Sequence, residues 1–274
     1  MADTILDGYA RFTAQLAQDA GAILRDRFAE PHEVRFKGTV DMVTEADQAA
    51  EALIANRLRE AHADHLLLCE EGSQGAALDS KFRWVVDSLD GTTNFAHGLP
   101  TFAVSIALEE AGLPIIGVVY DPMRDELFVS QRGGGATLNG KPIHVSITDR
   151  LIASILVTGF SYDFERRARQ AELWRDFLTR TQAIRQTGSA ALNLCYIASG
   201  RIDGYWERGI SPWDVAAGAL MVTEAGGMVT SMGGGPFHSD DREILASNGI
   251  LHPDLLTVIA KHEDASMQFV ELGS

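Results

Sequence analysis

The chain has 274 residues, 46% hydrophobic and 22% charged, an ordinary globular composition that excludes disordered and fibrous classes. Its 38 acidic against 23 basic side chains give a net charge of −15, which argues against a nucleic-acid surface, because phosphate backbones need concentrated Lys and Arg. The two cysteines, Cys69 and Cys195, exclude a disulfide framework and fit a reducing cytoplasm. The opening lacks a charged-then-apolar leader, and no apolar run approaches the ~18 residues of a membrane span. A soluble cytoplasmic protein with neither membrane nor nucleic-acid partner is expected.

Leu6, Tyr9, Thr13, Leu16, Ala17, Ala20, Ile23, Leu24 and Phe28 recur at helical spacing up to Pro31, predicting a first helix. A second is expected over 47–61, with Ala50, Leu53, Ile54 and Leu58 on one face; residues 37–44 before it read as a loop or hairpin. Short apolar runs ending in acids, 65–69 and 83–87, read as buried strands. Runs at 102–108, 115–120 and 126–130, and a pair joined by Asn139-Gly140, predict an antiparallel meander, because both residues of that turn tolerate positive φ. From about Arg150 strand and helix alternate. Strands are expected at 155–157, 204–207, 228–230 and 244–247, and helices at 165–179, 189–199 and 213–225, the last stopped by Gly226-Gly227. A final helix starts at Pro253. The change of texture puts a boundary near 146–152. It divides the chain into 1–150, with the antiparallel sheet and most of the acids discussed below, and 151–274, packed against it and completing the site.

Some motifs are decoys. Gly135-Ala136-Thr137-Leu138-Asn139-Gly140-Lys141 is one residue short of a phosphate-binding loop, and Pro142 stands where a metal-binding Ser or Thr is required. His62 and His65 have no second ligand pair nearby and read as a solvated helix end. Gly133-Gly134-Gly135 reads as a turn. G-x-S-x-G, H-E-x-x-H and C-x-x-C are all absent, so serine-hydrolase, zincin and thioredoxin chemistries lose their usual support.

The chemistry-bearing segment is Trp84-Val85-Val86-Asp87-Ser88-Leu89-Asp90-Gly91-Thr92-Thr93-Asn94-Phe95. An apolar strand delivers Asp87, and a tight turn returns Asp90. Carboxylates this close repel each other at neutral pH unless a cation sits between them. Oxygen-only ligation suits Mg²⁺ or Mn²⁺ rather than zinc. Gly91 allows the sharp turn, and the amides of Gly91 and Thr92 then point outward at a helix start, as phosphate-binding amides do. Glu70 and Glu71 end the preceding strand, Glu71 reading as solvated or behind a ligand; Asp214 and Asp47 open apolar helices. Taken singly, Asp47 and Asp214 read as helix caps.

Three blocks together resemble the inositol monophosphatases, within the lithium-sensitive, magnesium-dependent phosphatase superfamily. They are Asp41-Met42-Val43-Thr44-Glu45-Ala46-Asp47; Glu70-Glu71-Gly72 with Asp87-Ser88-Leu89-Asp90-Gly91-Thr92-Thr93-Asn94-Phe95; and Trp213-Asp214-Val215-Ala216-Ala217-Gly218 with Glu224-Ala225-Gly226-Gly227. The likeness runs from the first helix to about residue 262, and Ser88 replaces the usual proline. It implies an α/β (α+β) fold, a layered αβαβα sandwich like that of fructose bisphosphatase and inositol monophosphatase. It implies hydrolysis of a small phosphate monoester by in-line attack of a metal-activated water, with two or three Mg²⁺ per site. Glu70, Asp87 and the Leu89 carbonyl would hold one ion, and Asp87, Asp90 and Asp214 another, Glu70 helping with a weaker third. Asp47 and Thr92 would orient and deprotonate the water, and the Gly91 and Thr92 amides would meet the phosphate. Ser189, Ala190 and Glu207 match positions contacting substrate hydroxyls, and Lys37 a basic residue near the site. Inositol 1-phosphate is the expected substrate; histidinol phosphate, adenosine 3′,5′-bisphosphate and, more rarely, fructose bisphosphate are alternatives, and a non-catalytic interaction protein keeping the fold is the contrasting class. Family members are commonly homodimers.

Overall fold

The computed structural model describes residues 5–30, 34–36, 42–72 and 80–270. Helix α1 (Ile5–Phe28) buries Leu16, Ala17, Ala20 and Leu24, the face its spacing marked. A hairpin of β1 (Val34–Phe36) and β2 (Met42–Thr44) follows; Lys37 and Asp41, in its connection, lie outside the described residues. Thr44 caps α2 (Glu45–Ala61). Its hydroxyl accepts from the Ala46 and Asp47 amides while Asp47 accepts from the Thr44 amide, so the helix opens at Glu45 rather than Asp47.

Strands β3 (Leu66–Cys69), β4 (Phe82–Asp90), β5 (Ala103–Glu110), β6 (Leu113–Asp121), β7 (Glu126–Gln131), β8 (Gly135–Leu138) and β9 (Lys141–Pro142) form a seven-stranded sheet in that order. The short helix α3 (Thr92–Ala96) lies between β4 and β5. From β4 onward the sheet is the expected antiparallel meander, and Asn139-Gly140 turns with φ of 49° and 74°. β3 departs from it, running parallel to β4.

The second half supplies β10 (Ile155–Thr158), α4 (Phe164–Leu178), β11 (Ala183–Arg185), α5 (Ala190–Ala198), β12 (Gly204–Arg208), α6 (Pro212–Glu224), β13 (Met228–Thr230), β14 (Glu243–Ser247) and α7 (His252–Val270). Its five-stranded sheet, ordered β11-β10-β12-β14-β13, is mixed: β10 is parallel to both neighbours and β14 antiparallel to both. β11 escaped the sequence reading because three residues in a polar stretch carry no alternation.

Strand alternation sorts β4 between two cores: Trp84 and Val86 face α1 and α2, while Val85 faces α5 and α6. Helices α5 and α6 lie between the sheets, also packing on Val157, Tyr205 and Ala246 of the second sheet. Leu173 and Phe177 of α4 and Leu255 and Val258 of α7 close the outer face on Leu156, Trp206 and Leu245. The result is the layered αβαβα sandwich. Two glycines permit its tight centre: a Cβ on Gly117 would meet the Ala217 carbonyl oxygen at 2.6 Å, and one on Gly218 the Leu194 Cβ at 2.5 Å.

His62 and His65 require a correction. They are no solvated helix end: His65 is buried, and the two rings stack 4.9 Å apart within a cluster of Tyr9, Phe12 and Trp84. Aromatic residues of α1 cover them, and burial pushes both imidazoles below their ordinary pKa. Cys69 and Cys195 are buried and unpaired. The Gly133–Gly135 turn is held by Glu224, whose carboxylate accepts from the Gly133 and Gly135 amides at 2.8 and 2.9 Å. Among the described residues no helix is long and apolar enough to cross a membrane.

Candidate active site

Strand β4 ends in an irregularity: Asp87 still pairs with Ser105, but the register shifts before Asp90 pairs with Ala103. The shift brings both carboxylates to the gap between the sheets. Gly91, at φ 101°, then turns the chain into α3. A Cβ there would press on the Thr101 and Gly188 carbonyl oxygens at 3.0 and 3.2 Å, so the turn needs glycine for space as well as for φ.

Asp214 arrives from the opposite side, in the first turn of α6, where it accepts from the Ser211 amide at 2.8 Å. Asp87, Asp90 and Asp214 each offer an oxygen, all within 4.8 Å of one another. Asp87 Oδ1 accepts from the Leu89 amide at 2.9 Å. Asp90 accepts from the Ser189 hydroxyl, and from the Ala190 and Ala191 amides at 3.2 and 2.8 Å, so it also caps α5. Glu70 stands half-buried just beyond β3 and acts on all three through its charge.

The electrostatics identify what this group wants. Burial, then the charges of Glu70, Asp90 and Asp214, hold Asp87 well above the carboxylate range; burial and Asp90 do the same to Asp214. Asp90 is pushed up to about 6 by burial, despite its three donors. Among the described residues, no Lys or Arg is a principal influence on any of them. Desolvated acids converging with no cationic side chain against them among the described residues, and offering only oxygens, fit hard divalent cations. Ligands of such ions would be Asp87, Asp90, Asp214, Glu70 and the Leu89 carbonyl.

A second constellation adjoins the first. Thr92 Oγ1 lies 3.0 Å from Asp47 Oδ1 and 3.0 Å from the Leu89 carbonyl oxygen. Its single proton serves one acceptor at a time. Asp47 is fixed by the α2 cap, where Oδ2 accepts from the Thr44 amide at 2.8 Å and the Thr44 hydroxyl at 2.5 Å. Burial pushes its pKa up to about 6. Ser88, in place of the family's proline, donates to the Asp47 carbonyl oxygen at 3.1 Å and so ties β4 to α2. The first bond within α3 runs from the Phe95 amide to the Gly91 carbonyl, which leaves the preceding amides, Thr92 among them, outside the helical ladder.

Of the residues expected to meet substrate, Ser189 is the N-cap of α5 and Ala190 its first residue, and both donate to Asp90. Glu207 lies half-buried near the end of β12; burial raises its pKa to about 7, and Tyr205 donates to its Oε2 at 2.6 Å. Two contributors were missed from sequence. Asn94 donates to the Thr101 and Thr187 carbonyls, both at 2.7 Å, locking α3 to the strap before α5. Tyr205 is the other, and its signal lay in spacing: residues two apart on a strand share a face, which sets Tyr205 beside Glu207.

A family model described as the inositol monophosphatase family matches residues 6–267. The chain belongs to that family. As a member of the inositol monophosphatase family it is a metal-dependent phosphoric monoester hydrolase. It is 45% identical over 243 residues to an inositol-1-monophosphatase of Synechocystis, covering 88% of this chain and 85% of that protein. It is 43% identical to the Nus factor SuhB of Salmonella typhimurium, covering 85% and 88%. Inositol monophosphatase from Anabaena superposes with a TM-score of 0.84 at 41% identity, covering 94% of this chain and 97% of that one.

Proposed function

We propose that this family member hydrolyses inositol 1-phosphate to inositol and phosphate, with Mg²⁺ as its ion. The carrying observation is the convergence of Asp87, Asp90 and Asp214 within 4.8 Å, beside the Thr92–Asp47 hydrogen bond. When bound, divalent ions supply charge to polarise the phosphate and acidify a water. The residues do the rest. Asp47 is a carboxylate at neutral pH and holds the Thr92 hydroxyl by its Oδ1. A water hydrogen-bonded to Thr92 Oγ1 can pass a proton to that oxygen as the hydroxyl proton moves to Asp47. The water oxygen then attacks phosphorus as the bond to the alcohol oxygen in line with it breaks; that oxygen takes a proton from solvent water while Asp47 returns its own to solvent, and no side-chain nucleophile is required. The Gly91 and Thr92 amides orient the phosphate, and Glu207 accepts from hydroxyls of the sugar alcohol.

The test is phosphate release after EDTA treatment, with Mg²⁺, Mn²⁺ or Zn²⁺ restored, on inositol 1-phosphate, histidinol phosphate and adenosine 3′,5′-bisphosphate. Mg²⁺-restored turnover fastest on inositol 1-phosphate is expected. Faster turnover of histidinol phosphate would assign Glu207 to an amine instead. No turnover of any substrate would favour the non-catalytic reading, which the name of the Salmonella relative keeps in view.

A further inference from the structure

Glu207 is approached on two sides by groups with no part in the chemistry described above. β12 lies inside its sheet, between β10 and β14, so Tyr205 and Glu207 project from one face. Tyr205 is fully buried, and its hydroxyl donates to Glu207 Oε2 at 2.6 Å. From the end of β10, a Cβ on Gly159 would stand 2.0 Å from Glu207 Oε2 and 2.3 Å from Oε1. The carboxylate therefore fills the space that any side chain at 159 would take. A glutamate on its own stem samples many orientations, and recognition of a ring hydroxyl requires one of them. Above a pH of about 7, where Glu207 is ionised, the Tyr205 hydroxyl supplies a charge-assisted bond to Oε2 and leaves Oε1 to accept from a ligand.

We propose that Tyr205 is a positioning residue for polyol recognition: with the space left by Gly159, it fixes the Glu207 carboxylate so that Oε1 meets a substrate hydroxyl. This rests on the inositol phosphate reading above. A tyrosine that only filled the core would lower stability on truncation and leave substrate preference alone.

The experiment is steady-state kinetics at saturating Mg²⁺ for wild type, Tyr205→Phe, Glu207→Gln and the double variant. The substrates are inositol 1-phosphate and glycerol 2-phosphate, an open-chain ester without a ring diol. Tyr205→Phe should raise KM for inositol 1-phosphate about tenfold with kcat within about threefold, the scale of one lost hydrogen bond to a charged group. The preference for inositol over glycerol phosphate should fall with it. In the Glu207→Gln background the same change should add little, because its effect runs through Glu207. An unaltered KM, or an equal loss in both backgrounds, overturns the proposal. A wild type with no preference between the substrates overturns the inositol reading, and this proposal with it. Should Tyr205→Phe fail to fold, Gly159→Ala displaces the same carboxylate from the other side. It should raise the same KM, and an unchanged KM there also refutes the assignment.

Discussion

Asp90→Asn should raise the stability of the metal-free protein while destroying its activity. Asp90 is buried among Asp87, Asp214 and Glu70, and its pKa stands at about 6 against an ordinary 3.8. At pH 7.5 Asp90 is ionised in both states, and its raised native pKa means that folding carries that charge at a cost of about 3 kcal/mol relative to the unfolded chain, at 1.36 kcal/mol per pKa unit. An amide removes that cost. It keeps one acceptor, enough for the Ser189 hydroxyl and the Ala191 amide, but turns its NH₂ toward the Ala190 amide and loses about 1 kcal/mol there. The net gain of about 2 kcal/mol should raise the melting temperature in EDTA by about 4–8 °C, at the ~2–4 °C per kcal/mol usual for chains near this size. Magnesium reverses the comparison, because wild type gains about 3 kcal/mol at a hundredfold excess over Kd and the variant, short of one ligand, gains less. kcat should fall at least ~10²-fold, the loss that accompanies one missing electrostatic stabiliser. Differential scanning fluorimetry with and without Mg²⁺, beside phosphate release, measures all three. A variant that melts below wild type in EDTA, or keeps activity within a few-fold, would refute the picture of acids held together against their repulsion.

Thr92→Val keeps shape and removes the hydroxyl between Asp47 and the Leu89 carbonyl; kcat should drop by ~10²–10⁴-fold, the usual range for general-base assistance, with Mg²⁺ affinity by calorimetry little changed. Asp47 has a raised native pKa of about 6, so it is the base above that pH and loses the role as pH falls through it; log kcat/KM at limiting Mg²⁺ should decline below about pH 6, and a flat profile down to pH 5 would exclude Asp47. Gly117→Ala sets a methyl 2.6 Å from the Ala217 carbonyl oxygen and should cost about 1–3 kcal/mol by denaturant titration, weakening Mg²⁺ binding because α6 carries Asp214. Ser88→Ala deletes the bond to the Asp47 carbonyl and should cost about 1 kcal/mol with kcat nearly unchanged.

Much of the fold could be read from periodicity. The long stripe of α1, the apolar run of β4 and the Asn139-Gly140 turn are local patterns; α1 and the turn lie where they point, while β4 runs on three residues past Asp87 to Asp90, where a tight turn was expected. Strand order in the second sheet could not be read, because β14 sits between β12 and β13 through contacts distant in sequence. His65 misled because its polarity is a local property and its burial under Tyr9 is a tertiary one. At the site, Asp87 and Asp90 announced themselves by spacing. The bonds from Asn94 to Thr187 and from Ser189 to Asp90 join segments about a hundred residues apart, and no single-sequence pattern records them.

The sequence set helix cap against functional group for Asp47 and Asp214, and in the structure the acids that cap helices are also acids of the converging cluster or of the Thr92 contact beside it. Asp47 closes the capping box of α2 and Asp214 that of α6, while Asp90 takes the first amides of α5. Three helices thus aim their N-termini, each with a partial positive charge, at one acidic centre. Backbone donors supply what Lys and Arg would supply elsewhere. They hold Asp90 near 6 rather than higher, and they fix carboxylate orientation before any ion arrives. A lysine in that place would neutralise the acids and abolish their need for a divalent cation. Amide donors and helix ends satisfy oxygen lone pairs while leaving net negative charge for the ion. On the proposed function the same choice lets a chain of net charge −15 act on a phosphate dianion: the attraction would come from divalent cations and backbone amides, not from a basic surface.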